Sequence, residues 1–89
     1  MTAHDSPRAV PLEESIVDVL LQAGSRTLSA PEIALAIAPE GDWPGLLMPI
    51  RSAAVALAQA GRLVIYRKGK AADPGDFRGV YRLGLPRQD

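Results

Sequence analysis

A chain of 89 residues has room for one domain with a single small core, and without cysteine it holds no disulfide, no thiolate metal site and no thiol nucleophile. Its ten basic and ten acidic residues balance, which argues against coating nucleic acid by bulk charge. No apolar run is long enough to span a bilayer and the N-terminus lacks a signal-peptide pattern, so a soluble, cytoplasmic protein is expected.

Residues 1–11 mix Pro, Ser, Asp and His4 without apolar periodicity and read as a tail, and residues 87–89 as a second one; residues 12–86 read as the domain. A first helix is predicted over Leu12 to Ala23. There Leu12, Ile16, Val19, Leu20 and Ala23 share a stripe, Glu13 and Glu14 suit the positive end of the helix dipole, and Gly24 supplies a stop. After an extended connector, Arg26-Thr27-Leu28, the run Ser29-Ala30-Pro31-Glu32 is a capping box. It starts a second helix near Ala30 that ends at about Ala38, before Pro39 and Gly41.

Asp42 is the next N-cap candidate. Trp43, Leu46, Leu47, Ile50, Ala53, Ala54 and Leu57 keep one helical phase across Pro49, which predicts a kinked helix, or a helical turn followed by a helix from about Pro49 to Ala60. Gly61 closes it. Leu63 to Lys68 and Val80 to Leu85 then alternate as strands, with Leu63, Ile65, Tyr81, Leu83 and Leu85 opposed to Val64, Tyr66, Val80 and Arg82. Between them Gly69 to Gly79 forms a long loop with a turn at Asp73-Pro74-Gly75. The expected fold is α+β, mostly α: a winged helix-turn-helix of three helices plus a C-terminal two-stranded β-hairpin wing.

The charges segregate along this order. Two basic residues face seven acidic ones over residues 1–45, and eight face three from residue 46 onward, which gives the molecule a basic side. In a winged helix on DNA the third helix enters the major groove and the wing touches phosphate. The expected contact set is therefore Arg51, Ser52 and Gln59 on the helix and Arg67, Lys68, Lys70 and Arg78 on the wing. Base readout needs bidentate groups, and the helix supplies only Arg51 and Gln59, with Ser52 weaker, so duplex DNA is expected to be held mainly by its backbone, in a transcription-regulatory role. Asp73 and Asp76 temper the wing's field.

The same helix face carries Met48, Val55 and Ala56, which supports a competing reading: a homodimer or protein-docking surface without nucleic acid. Trp43 has the phase of a core residue, and Tyr66 and Tyr81 are placed to pair across strands or cover the helices. Neither a catalytic residue nor a metal ligand nor a cofactor is indicated. His4 stands alone, Ser29 and Glu32 are explained by capping, and Asp73 and Asp76 flank a turn without ligand company.

Ser29 with Glu32, Asp42-Trp43, Met48-Pro49, Arg51, Gly61-Arg62, Lys68-Gly69, Asp73-Pro74 and Arg78-Gly79 together give the chain a family likeness over residues 12–85. It resembles the small bacterial winged-helix proteins grouped as domain of unknown function 3253. The resemblance implies a winged-helix fold and carries over no activity.

Overall fold

The computed structural model describes residues 11–86. The readings of residues 1–10 and 87–89, His4 among them, lie outside the described residues. Helix α1 spans Leu12–Ala23 as the apolar stripe predicts: Ile16 and Leu20 are buried, Leu12, Val19 and Ala23 pack against the core, and Glu13 and Glu14 occupy the first turn. The connector that follows is more than extended chain. Its last residue and the next, Leu28–Ser29, form strand β1.

Ser29 also caps helix α2, Ala30–Ile37. Its Oγ accepts from the Glu32 amide at 3.3 Å, and the Glu32 carboxylate accepts from the Ser29 amide at 2.8 Å, so two otherwise unpaired amides at the helix start are satisfied reciprocally. Asp42 then accepts from the Gly45 amide at 3.2 Å and fixes a single 3-10 turn, Pro44–Leu46, that runs straight into helix α3, Leu47–Gln59. The helix starts two residues before Pro49. That proline falls in the first turn, where the missing amide had no partner to lose, so it neither kinks nor delays the helix. At the other end, Arg62 N–H bonds to the Leu57 carbonyl at 2.9 Å and Gly61 N–H to the Ala58 carbonyl at 3.0 Å, the paired closure of a Schellman motif.

Strands β2 (Val64–Arg67), β3 (Lys70–Ala71) and β4 (Arg82–Gly84) complete one antiparallel sheet of order β1-β4-β2-β3. The two-stranded hairpin of the sequence reading is thus its centre, and β1 and β3 extend it to four strands. The loop expected from Gly69 to Gly79 is divided. A two-residue turn at Lys68-Gly69, with φ of 53° and 82°, closes a tight hairpin onto β3. Positive φ at both central positions is the type I′ pattern that matches strand twist, and Gly69 takes it without a Cβ penalty. The remaining segment turns at Asp73-Pro74-Gly75-Asp76, where Asp76 N–H bonds to the Asp73 carbonyl at 3.0 Å.

The three helices pack against one another and α3 packs on β2. Ile16, Leu20, Ile33, Ile50, Ile65 and Leu83 are the largest fully buried side chains. Each contributes on the order of 1.5–3 kcal/mol by leaving water, which lets an aliphatic core hold a domain this small. Trp43 packs at its edge. This is the layout of a winged helix, with α2 and α3 as the helix-turn-helix and the segment from β2 to β4 as the wing. No helix among the described residues is long and apolar enough to cross a membrane.

Candidate nucleic-acid interface

Two carbonyl groups decide how the wing sits. Between Phe77 and Val80 the chain is outside the sheet, so its carbonyls lack ladder partners and need donors from elsewhere. Arg51, on α3, donates from Nη2 to the Phe77 carbonyl at 2.7 Å and lays its guanidinium 4.0 Å from the centre of the Phe77 ring. Arg67, at the end of β2, donates from Nη1 to the Val80 carbonyl at 2.8 Å. The four-residue segment Phe77-Arg78-Gly79-Val80 is held at both ends by arginines, with Arg78 exposed between them.

Phe77 anchors the arrangement from inside. It is buried and meets the Tyr81 ring edge-on, with centroids 5.2 Å apart and planes at 72°. The Tyr81 hydroxyl is buried without a hydrogen-bond partner among the described residues, and this burial pushes its pKa above the ordinary 10.0, against a smaller opposing pull from the Arg51 charge. Arg51 is therefore half-buried and engaged with the wing, a role its position on the helical wheel did not disclose.

The other sequence-identified residues divide by location. Lys68 lies in the hairpin turn, Lys70 begins β3 and Arg78 follows Phe77; all three are exposed, and none of their side chains makes a hydrogen bond or ion pair among the described residues. Arg67 and Lys70 are cross-strand neighbours. Asp73, expected to weaken this field, turns its carboxylate to the Gly75 amide at 3.0 Å. On α3, Met48, Ser52, Ala56 and Gln59 are exposed, Met48 by 71%. Val55 is partly buried against the core and does not belong to an open apolar face. Gln59 ends the helix about 12 Å beyond Arg51, away from the segment that Arg51 holds.

Among the described residues, the two further arginines on this half of the chain, Arg62 and Arg82, have partners. Arg62 pairs with Glu14 of α1 at 3.5 Å. Arg82 donates twice to Thr27 at 2.8 Å and meets Glu32 at 3.4 Å. Glu32 is held below its ordinary pKa chiefly by the Ser29 amide, with smaller contributions from Arg82 and Arg26. Among the described residues there is no group of three His, Cys, Asp or Glu side chains placed to hold a metal ion.

Residues 9–86 match the family described as a protein of unknown function, DUF3253. The chain belongs to this family. In this DUF3253 domain the dipeptides noted in the sequence fall at structural joints: Lys68-Gly69 at the hairpin turn, Asp73-Pro74 at the second turn, and Arg78-Gly79 inside the doubly held segment. No curated protein matches the chain. Sequence reasoning missed Phe77 as an anchor, although one signal was present: between Ala72 and Val80 it is the sole large apolar residue in an otherwise polar loop.

Proposed function

We propose that this protein binds duplex DNA in a transcription-regulatory role, in the cytoplasm, mainly through the phosphate backbone and with the wing as the principal contact. One observation carries the reading. Lys68, Lys70 and Arg78 are exposed without partners among the described residues, and Arg51 and Arg67 fix the segment carrying Arg78 to α3 and β2. Cations without partners among the described residues, two on a tight hairpin and one on a segment held at both ends, suit a regular array of phosphates. The helix supplies only the exposed Ser52 and, at its far end, Gln59, which favours weak sequence preference.

The test is retention of a duplex at low ionic strength by the full chain and by a variant with Lys68, Lys70 and Arg78 all changed to Ala. Binding by the first and its loss in the second, with thermal stability kept, is expected. No retention of any duplex by the wild type at low salt would overturn the reading.

A second reading is favoured by the 71% exposure of Met48, with the exposed Ala56 about two turns further along: a homodimer or protein contact on α3. Sedimentation of wild type and Met48→Glu separates the two. A dimer abolished by Met48→Glu, with no duplex binding, would support docking instead.

A further inference from the structure

On the sheet face turned away from the helices there is an open hollow of about 970 Å³, at the upper end of the range of small-molecule sites. Its floor is closely packed at Gly84. A Cβ there would stand 3.1 Å from Thr27 Cγ2 and 3.3 Å from Tyr66 Cε2, so the Tyr66 ring lies over the strand at Gly84 and approaches Thr27. Arg82 is the direct cross-strand neighbour of Tyr66, and its guanidinium is fixed by two 2.8 Å bonds to Thr27. Val80, 80% exposed, adds an apolar wall, and Arg67 and Lys68 complete the rim. Among the described residues the lining includes three cations and no carboxylate, and one of those cations, Arg82, meets Glu32 at 3.4 Å.

We propose that this hollow is a binding site for a small planar aromatic anion, its ring lying on Tyr66 and its charged group held by the cations of the rim. The aromatic floor and apolar wall select a flat body, and the excess of positive groups on the rim, of which only Arg82 has an acidic partner among the described residues, selects negative charge. Arg82 suits this role because Thr27 and Glu32 take its Nε and Nη2 donors, which leaves Nη1 without a partner among the described residues on a side chain that is already ordered. The site lies apart from the exposed face of α3, and the inference does not depend on duplex binding.

Titration of the full chain with 2-naphthoate, followed by backbone amide NMR shifts, tests it. Saturable shifts grouped at Tyr66, Val80, Arg82 and Gly84 are expected, with at least tenfold weaker binding of neutral 2-naphthamide and of acetate. Tyr66→Leu, which keeps an apolar cover over Gly84, should weaken naphthoate at least tenfold, and the exposed-turn variant Lys68→Ala and Arg82→Gln should each weaken it severalfold. Equal binding of naphthoate and naphthamide, shifts spread over α3, or undiminished binding by the folded Lys68→Ala and Arg82→Gln proteins would overturn the proposal.

Discussion

Arg51 touches Phe77 twice, through the carbonyl and through the ring, and both contacts need a planar guanidinium. A charge-assisted hydrogen bond to a partly buried carbonyl contributes roughly 1.5–3 kcal/mol, and a cation over an aromatic face roughly 0.5–2. Arg51→Ala should therefore lower unfolding free energy by about 2 kcal/mol, and Arg51→Lys by about 1, because an ammonium cannot stack and bond in the same geometry. Urea denaturation measures both. An Arg51→Ala protein as stable as the wild type would mean that the side chain serves only an external ligand. Two residues from Val80's predecessor Gly79, Tyr81 poses the opposite case, a buried hydroxyl with no partner among the described residues. Tyr81→Phe keeps the edge-on packing with Phe77 and removes an unsatisfied group, so stability should rise by about 1 kcal/mol at neutral pH. The difference should then grow with pH. Burial raises the folded pKa above 10.0, so above pH 10 the unfolded state loses its proton first and the wild type loses stability as pH climbs through the folded value. The Phe variant has no such loss, and thermal midpoints between pH 8 and 11 should diverge accordingly.

Among the elements, the Lys68-Gly69 turn combines a fold requirement with a proposed phosphate contact. Its first position has φ of 53°, a region that lysine disfavours and asparagine tolerates. Lys68→Asn should stabilise the hairpin by about 0.5–1 kcal/mol while removing one wing cation. Thermal stability should rise while duplex affinity falls, and a variant in which both rise would detach Lys68 from phosphate contact. The same hairpin shows where sequence reading reached its limit. Helices α1 and α2 were legible to within a residue because stripe, capping box and stop agree over a dozen positions or fewer. Strands β1 and β3 have two residues each, too few for a period of two to show, and they exist only because neighbours supply their hydrogen bonds. The candidate site was legible in composition, since Arg67, Lys68, Lys70 and Arg78 stand out in the sequence, but not in its mounting. Arg51 and Arg67 bond to backbone carbonyls 26 and 13 residues away, and a carbonyl carries no residue identity for a sequence pattern to register.

For the whole molecule, a formal net charge of zero means that attraction to a polyanion must come from where charges sit rather than how many there are. Three phosphate contacts through Lys68, Lys70 and Arg78 imply a slope of log affinity against log salt of about −2.7, so binding should weaken roughly 40-fold between 50 and 200 mM. Lys70→Ala and Arg62→Ala offer the discriminating pair, because each lowers net charge by one. Lys70 is exposed on the wing without a partner among the described residues, whereas Arg62 lies beyond the far end of α3 and faces Glu14 at 3.5 Å. If wing position governs binding, Lys70→Ala should flatten the slope by about 0.9 and Arg62→Ala should leave it unchanged. Equal flattening by the two variants would mean that the duplex senses only the overall field, and the fixed geometry that Arg51 and Arg67 impose on the wing would then have no part in recognition.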